Sequence, residues 1–212
     1  PGQFHFMTFH RREGLPEEEH HFTISSSPAD RSSISSTIKE LGDFTSTIGE
    51  TRPGDTATVH GPFGRFSYLL HPGGKDLVFI AGGIGITPLM SMIRHMRDTG
   101  SKLPVLLIYS NRDPGSLAFR DELGAIVRGG SPKLRVVHVL KEPGEEMQAE
   151  AGATEKGRLD PEMLERLCDG RFAGRSFYVC GPPGLLEMAV GALRGRGVPD
   201  RSIHAEIFSF ID

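Results

Sequence analysis

One stretch decides the fold of this chain: Leu77-Val78-Phe79-Ile80-Ala81-Gly82-Gly83-Ile84-Gly85-Ile86-Thr87-Pro88. It begins with a continuous apolar run, Leu77–Ala81, which is typical of a parallel strand buried on both faces. The glycine cluster lets backbone N–H groups approach a pyrophosphate, and Pro88 suits the first turn of a helix that we expect to extend to Arg97. The spacing matches neither G-x-G-x-x-G nor a P-loop, so an ordinary glycine turn fits this loop equally well. Its position after the first strand of an α/β unit favours nucleotide binding.

Strand and helix patterns continue to alternate to the end of the chain. Further strands are predicted at Val105–Ser110, Leu134–Leu140, Ser176–Cys180 and Ile203–Phe208, and further helices at Leu117–Arg128, Pro161–Leu167 and Pro183–Arg194. Such alternation predicts a doubly wound parallel sheet. Within this half, Gly144–Gly157 reads as a polar loop.

The first 72 residues have a different pattern, rich in Phe, Ser, Thr and short turns. Short runs with alternating or β-branched residues predict strands at 2–7, 22–26, 33–38 and 56–60. Only a turn or two of helix is expected, at Gly42–Ile48. This half therefore reads as a small antiparallel barrel or sandwich. We place the junction at His71-Pro72-Gly73-Gly74, between a domain of residues 1–72 and a domain of residues 73–212.

Charge and cysteine content exclude several classes of protein. The 212 residues carry a net charge of −3, which gives no bulk attraction to nucleic acid or to an anionic membrane. Two cysteines cannot form a disulfide scaffold or ligate an iron–sulfur cluster within this chain. His20 and His21 point to opposite faces of a strand, so we expect no metal site. Val78–Ile86 is too short to span a membrane, and we expect a cytoplasmic protein.

Two further stretches carry candidate binding residues. Cys180-Gly181-Pro182-Pro183-Gly184 ends a predicted strand at the same edge of the sheet as Gly82–Pro88, so a ligand could span both loops. Lys39 and the turn Gly42-Asp43-Phe44-Thr45 offer a cation, N–H groups and a hydroxyl to a phosphate. Cys180 fits a small buried apolar residue equally well, and Lys39 alone reads as a solvated lysine.

Together these motifs resemble the ferredoxin–NADP reductase superfamily, which joins a flavin-binding antiparallel barrel to an NAD(P)-binding α/β domain. The similarity follows the chain in order through His20-His21-Phe22-Thr23, Gly42–Thr45, Gly61-Pro62-Phe63-Gly64, Gly82–Pro88, Cys180-Gly181-Pro182 and Glu206-Ile207-Phe208. The His-x-Phe-Thr form looks most like the flavin domains of ferric reductases and NADPH oxidases.

The chain departs from the family pattern in two places. His20 stands where much of the family has an arginine that contacts the flavin phosphate, and a neutral imidazole offers no charge there. The family barrel also has strands before the one that begins at Gly2. The resemblance therefore implies an incomplete barrel, cut from a longer protein, that binds FAD weakly.

The resemblance also implies residue roles. Phe22 would pack against the isoalloxazine ring, Thr23 would hydrogen-bond its reactive nitrogen, and Phe208 would cover the ring until nicotinamide displaces it. Cys180 and Glu206 would line the nicotinamide pocket. The implied catalytic residues are Thr23, Cys180, Glu206 and Phe208. The implied cofactor-binding residues are His20, Phe22, Thr23, Lys39, Gly42, Asp43, Thr45, Gly82, Gly83, Gly85, Thr87, Pro88, Ser110, Arg112, Lys141, Cys180, Gly181, Pro182 and Phe208.

The coenzyme expectation rests on the ends of the second and third strands of the α/β half. Sheets that select NAD commonly have an acid at the end of the second strand, and here no acid stands at that end before Asp113. Arg112 could meet a 2′-phosphate, and the resemblance implies a further phosphate contact just after the third strand, where this chain has Lys141. We therefore expect NADPH rather than NADH, although solvated surface charge fits both side chains equally well.

The resemblance implies an FAD-dependent NAD(P)H oxidoreductase that passes electrons to a one-electron acceptor. That acceptor would be ferric iron or the haem of a membrane domain in the same parent chain, which would place the protein at the cytoplasmic face of a membrane. Two alternatives stay open: a soluble NAD(P)H:flavin or small-acceptor reductase, and a non-enzymatic nucleotide-binding regulatory module.

Overall fold

Two sheets follow each other along the chain in the computed structural model, which describes residues 1–144, 147 and 153–207. The first sheet is antiparallel, with the order β2-β1-β3, and its strands are β1 (Phe4–His10), β2 (Glu19–Thr23) and β3 (Thr56–Phe63). The short helix α1 (Asp43–Ser46) lies between β2 and β3, where one or two helical turns were expected.

The segment Ser33–Ile38 does not form the expected strand. It makes a single bridge, between Ile24 and Ser36, and the Ser35 carbonyl accepts backbone hydrogen bonds from Ser25 and Ser26 at 2.8 and 3.3 Å. Serine side chains supply further contacts. The Ser26 hydroxyl accepts a hydrogen bond from the Ser35 N–H at 3.0 Å, and the Ser25 hydroxyl donates to the Ser35 carbonyl at 3.2 Å. Serine side chains offer the backbone these alternatives to a regular ladder, which explains the difference.

The second sheet is parallel, with the order β7-β6-β5-β4-β8-β9. Its strands are β4 (Asp76–Gly82), β5 (Val105–Asn111), β6 (Leu134–Leu140), β7 (Ala153–Lys156), β8 (Arg175–Gly181) and β9 (Ile203–Ile207). The helices that connect them are α2 (Ile86–Asp98), α3 (Arg120–Gly129), α4 (Pro161–Leu167) and α5 (Pro183–Gly195).

Helices cover both faces of this sheet, which confirms the expected doubly wound arrangement. Phe79 of β4 joins the apolar cluster that contains α2 and α3, whereas Val78 and Ile80 join the cluster that contains α4 and α5. Successive residues of a strand point to opposite faces, so a continuous apolar run supplies both clusters at once.

Several boundaries differ from the expectations. The strands expected at 2–7, 22–26 and 56–60 lie at Phe4–His10, Glu19–Thr23 and Thr56–Phe63. The predicted loop Gly144–Gly157, of which residues 145–146 and 148–152 lie outside the described part of the chain, contains strand β7, which pairs with β6. Its backbone ladder forms without the apolar alternation that would have indicated a strand. Helix α3 begins at Arg120, because Phe119 has a left-handed backbone with φ of 61° and cannot continue a helix. The last strand is described to Ile207, and Phe208 lies outside the described residues.

The two sheets are joined by a packed contact rather than a free linker. Phe66 and Tyr68, which precede the expected junction, are buried in the α2 side of the parallel-sheet core. The Phe66 ring lies 5.6 Å from that of Tyr178, and the Tyr68 hydroxyl lies 2.8 Å from His95 Nδ1. These two aromatic residues therefore precede the expected junction in sequence but pack in the core of the parallel-sheet half.

The described helices are short. The longest, α2 and α5, each have 13 residues, and no helix in the described part of the chain is long and apolar enough to cross a bilayer.

Candidate functional site

The carboxyl ends of β4 and β8 form the point at which the connections of the parallel sheet change direction. From β4 the chain moves outward to β5 and β6, whereas β8 lies on the other side of β4. The connections that follow β4 and β8 therefore run in opposite directions, and the crevice at such a switch point is where open α/β sheets bind ligands. The structure brings together the two glycine loops predicted from the sequence, Gly82–Pro88 and Cys180–Gly184.

The two loops touch through their backbones. A Cβ atom built on Gly85 would lie 2.3 Å from the carbonyl oxygen of Cys180, and one on Gly82 would lie 2.6 Å from Leu185 Cδ2. Side chains at Gly82 and Gly85 would force the loops apart. These two glycines thus serve the close approach of the loops to each other.

Gly83 has a different environment. Its φ of +52° is left-handed, and a Cβ placed on it would meet no atom within 4 Å. The Thr87 hydroxyl turns inward and donates to the Ile84 carbonyl at 3.0 Å, and Pro88 is buried. Thr87 and Pro88 therefore shape the turn, while Gly83 leaves open space beside the backbone where a ligand could approach. Ser110 pairs with Gly82 at the end of the neighbouring strand β5.

Cys180 and Glu206, the two residues expected to line a nicotinamide pocket, are register partners across β8 and β9. Cys180 is fully buried, and burial raises the pKa of its thiol, with the Glu206 charge as a further cause. Burial raises the pKa of the Glu206 carboxyl to about 7. Near neutral pH this carboxyl is therefore partly protonated and can donate or accept a hydrogen bond.

Two residues earlier on the same strands lies a ring stack that the sequence did not indicate. The His204 ring is 4.1 Å from that of His71 and 4.5 Å from that of Tyr178. Burial, together with His71, lowers the pKa of His204 to about 4, so the imidazole is neutral near neutral pH. His71 belongs to the predicted junction, so this stack ties the junction to the parallel sheet.

The predicted flavin side is built on β2 and α1. The His20 ring stacks on Phe44 with centroids 3.9 Å apart, and its Nε2 lies 2.9 Å from a Glu18 carboxylate oxygen. Phe22 is half-buried on the same face of the strand, with its ring 6.4 Å from that of Phe44. Thr23 is buried and points to the opposite face. The structure thus brings His20, Phe22 and α1 together, and separates the side chains of Phe22 and Thr23.

The turn predicted to bind a phosphate is stabilised by its own threonine. The Thr45 hydroxyl donates to the Leu41 carbonyl at 2.7 Å and accepts from the Leu41 N–H at 2.6 Å. Gly42 has a φ of +87°, and a Cβ placed on it would meet no atom within 4 Å. Lys39 and Asp43 are exposed. Thr45 therefore closes the turn, which leaves Gly42 as its open side.

Arg112 and Lys141 come together at the edge of β5 and β6. The Lys141 N–H donates to the Asn111 carbonyl at 3.3 Å, and the Glu142 N–H donates to the Arg112 carbonyl at 2.8 Å. The Glu142 carboxylate lies 3.6 Å from Arg112 Nε, and both side chains are exposed. Glu142 was missed in the sequence because an acid one residue past the basic position gives no signal of its own. It places a negative charge where the sequence predicted two positive ones.

Within the described residues, no group of three or more His, Cys, Asp and Glu side chains is arranged to bind a metal ion.

Comparison with known proteins gives a family match and related reductases. The sequence profile of the oxidoreductase NAD-binding domain family matches residues 79–191. The chain is 34% identical over 190 residues to the glycine betaine monooxygenase reductase subunit of Chromohalobacter salexigens, and the match covers 88% of this chain and 50% of that protein. It is 27% identical over 215 residues to the propane 2-monooxygenase reductase component of Mycolicibacterium goodii, covering 99% of this chain and 61% of that one. The chain thus spans about half to three fifths of these relatives.

A solved structure supports the same fold. The ferredoxin NADP+ reductase of Neisseria gonorrhoeae, determined with bound FAD and NADP, superimposes with a TM-score of 0.73 at 22% identity. The superposition covers 97% of this chain and 85% of that protein, so both sheets and their order are included.

Proposed function

This chain belongs to the oxidoreductase NAD-binding domain family, within the ferredoxin–NADP reductase superfamily, and from that premise we propose that it forms the FAD- and NAD(P)H-binding part of a flavin-dependent oxidoreductase. One observation carries the proposal. The loops after β4 and β8 meet at the switch point of the parallel sheet, and the open, left-handed Gly83 lies in the first of them.

The coenzyme would lie along the carboxyl edge of the parallel sheet. Its pyrophosphate would approach the backbone at Gly83, where a Cβ would meet no atom within 4 Å and which lies three residues before α2 begins. Its nicotinamide would lie toward Cys180 and Glu206. The buried thiol of Cys180 would shape that pocket as a small apolar group, and the Glu206 carboxyl would bond the carboxamide.

The residues of the first sheet fit a flavin dinucleotide. Gly42 leaves an open, left-handed turn beside α1, Lys39 is exposed just before that turn, and Phe22 offers a half-buried ring. These residues would hold the pyrophosphate and one face of the isoalloxazine. His20 is engaged with Glu18 and Phe44, so its part would be to position α1. When bound, FAD would supply the chemistry, accepting a hydride and releasing electrons one at a time.

For the electron acceptor we propose the oxidised partner of an oxygenase system. The support is that the relatives named above are reductase components of monooxygenases. The ferric iron or membrane haem expected from the His-x-Phe-Thr motif has no support from these relatives, and it stays a prediction.

We propose that the coenzyme is NADPH, and that Glu142 makes the preference for NADPH over NADH smaller. Arg112 and Lys141 support this choice, because a cation at the end of β5 or β6 could bind a 2′-phosphate. Glu142 opposes it, because its carboxylate lies beside Arg112 and would repel the same phosphate.

The test is anaerobic mixing of the purified, FAD-loaded protein with NADPH and, separately, with NADH, followed by the visible absorbance of the flavin. Bleaching at a rate that saturates with coenzyme is the expected result. Binding of coenzyme and FAD without bleaching would identify a nucleotide-binding module instead. The same reduced protein should then transfer electrons to cytochrome c, a one-electron acceptor.

A further inference from the structure

We propose that Ser91 and Arg94 of helix α2 are positioning residues, which fix the segment that carries Phe22 relative to the loop that binds the coenzyme. This inference rests on the proposed function. It concerns a contact between the two sheets that no sequence motif indicated.

Two side chains of α2 bind two successive carbonyl groups of the first domain. The Ser91 hydroxyl donates to the Ser26 carbonyl at 2.7 Å, and Arg94 Nη1 donates to the Ser25 carbonyl at 2.7 Å. Ser91 and Arg94 are three residues apart and therefore lie on one face of the helix. Ser25 and Ser91 are fully buried and the Arg94 side chain is only 18% exposed, so the contact is largely shielded from water.

The guanidinium of Arg94 is fixed from three directions. Its Nε and Nη2 donate to the two carboxylate oxygens of Glu122 at 2.8 and 2.6 Å, and its Nη1 is left for Ser25. Its central carbon lies 4.9 Å from the centroid of the Phe119 ring. The side chain is 18% exposed, and the Arg94 hydrogen bond lowers the pKa of Glu122. Because Glu122 and the Phe119 ring both hold the planar guanidinium, it has little freedom to rotate, and its Nη1 donor points at the Ser25 carbonyl.

The segment that Arg94 binds is also fixed from the other side. The Ser25 N–H donates to the Ser35 carbonyl at 2.8 Å, and the Ser25 hydroxyl lies 3.1 Å from that of Thr37. Phe22, the residue proposed to lie against the isoalloxazine, precedes Ser25 by three positions on the same segment. A displacement of Ser25 would therefore move Phe22.

Helix α2 connects this contact to the coenzyme loop. It begins immediately after Gly85, and its residues Ile86–Ile93 are all buried. Pro88 and Arg94 are six residues apart, which is about 9 Å along a helix axis. A buried helix of this kind is a rigid spacer with the coenzyme loop at one end and the flavin-bearing segment bound along its side. Hydride transfer needs the two reacting atoms within about 3–3.5 Å, and a 1 Å error costs about a hundredfold.

The test compares Arg94→Lys with Arg166→Lys in the full-length, FAD-loaded protein. Arg166 of α4 makes a two-bond contact with Glu155 of β7 at 2.8 and 3.1 Å, in a more exposed pair, and serves as the control. Lysine keeps the charge but cannot bind Glu122 with a fork and Ser25 at the same time. We expect flavin reduction at saturating coenzyme to slow roughly ten- to a hundredfold in Arg94→Lys and to stay unchanged in Arg166→Lys.

Two further measurements separate positioning from loss of structure. The dissociation constants of FAD and of NADP+ should stay within about twofold of wild type, because Arg94 is proposed to contact neither nucleotide. A tenfold change would correspond to about 1.4 kcal/mol of binding free energy. Backbone amides of residues 23–27 should exchange hydrogen faster in Arg94→Lys, and this can be measured without coenzyme or turnover. Ser91→Ala, which removes only the hydroxyl, should slow reduction in the same direction and provides the test if Arg94→Lys does not fold.

The possible results are distinct. Reduction as fast as wild type in both Arg94→Lys and Ser91→Ala would overturn the positioning role. Losses of FAD and coenzyme affinity as large as the loss of rate would also overturn it, because they would indicate a purely structural contact. Wild-type protein that binds neither nucleotide would instead refute the proposed function.

Discussion

Glu206 lies directly across from Cys180 in the β8–β9 pair, and burial there raises the pKa of its carboxyl to about 7, from an ordinary value of 4.5. Such a group changes its charge in the range in which the protein is expected to work. It also makes stability depend on pH in a direction that can be stated in advance.

We predict that Glu206→Gln removes a pH dependence of stability. The folded protein keeps this carboxyl protonated up to about pH 7, whereas the unfolded chain ionises it near 4.5. The free energy of unfolding should therefore fall as pH rises through this window, and the fall should be smaller in the variant. Urea unfolding at pH 5 and at pH 8 measures the difference. An equal slope in both proteins would contradict the raised pKa.

We predict that Gly85→Val weakens coenzyme binding by separating the two loops. Its Cβ would lie 2.3 Å from the Cys180 carbonyl oxygen, and overpacking of this kind costs about 1–3 kcal/mol. Gly191→Ala in α5 is the control, because its Cβ meets nothing within 4 Å and should stabilise the helix by about 0.5–1 kcal/mol. Titration with NADP+ and thermal unfolding measure both effects. An unchanged dissociation constant in Gly85→Val would show that the loop does not bind the coenzyme.

We predict opposite effects at the two members of the Arg112–Glu142 pair. Arg112→Ala should weaken NADPH binding about ten- to a hundredfold, because a charge-assisted hydrogen bond contributes about 1.5–3 kcal/mol, and should leave NADH binding nearly unchanged. Glu142→Gln should strengthen NADPH binding, since it removes a like charge. Arg194→Ala, which breaks an exposed pair with Asp200, is the control. Equal effects on the two coenzymes would remove the basis for the NADPH proposal.

We predict that neither described cysteine reacts in the native protein. Cys168 and Cys180 are both fully buried, and burial raises the pKa of each thiol, to about 11 for Cys168. Thiolate is the reactive form, so iodoacetamide at pH 8 should label both only after denaturation, as mass spectrometry can show. Native labelling of Cys180 would mean that the β8 loop opens to solvent.

The parallel sheet could be predicted from the sequence because its signal is local and strong. The apolar run Leu77–Ala81 and the glycines after it specify a buried strand and a tight turn within a few residues. The first sheet gave weaker signals. Ser33–Ile38 has β-branched residues, but the hydroxyl groups of Ser25 and Ser26 bind the backbone of Ser35 in place of a regular strand ladder.

The loops of the candidate site could be predicted because they follow strands of the sheet. The ion pairs between residues far apart in sequence could not be predicted. The loops Gly82–Pro88 and Cys180–Gly184 follow strands, so their meeting at one edge follows from topology alone. The partners of Arg94 and Arg112 do not follow from topology. Glu122 becomes a neighbour of Arg94, and Glu142 a neighbour of Arg112, only once the connections after β5 and β6 are built.

The burial of Phe66 and Tyr68 has a consequence for anyone who divides this chain. A cut at the expected boundary, after residue 72, would remove both rings from the core they fill and expose Tyr178 and His95, which they contact. A recombinant coenzyme-binding half should therefore begin before Phe66. The same applies to chimaeras, in which a foreign flavin domain must bring equivalent aromatic rings to a fusion point several residues upstream of the glycines that mark the junction.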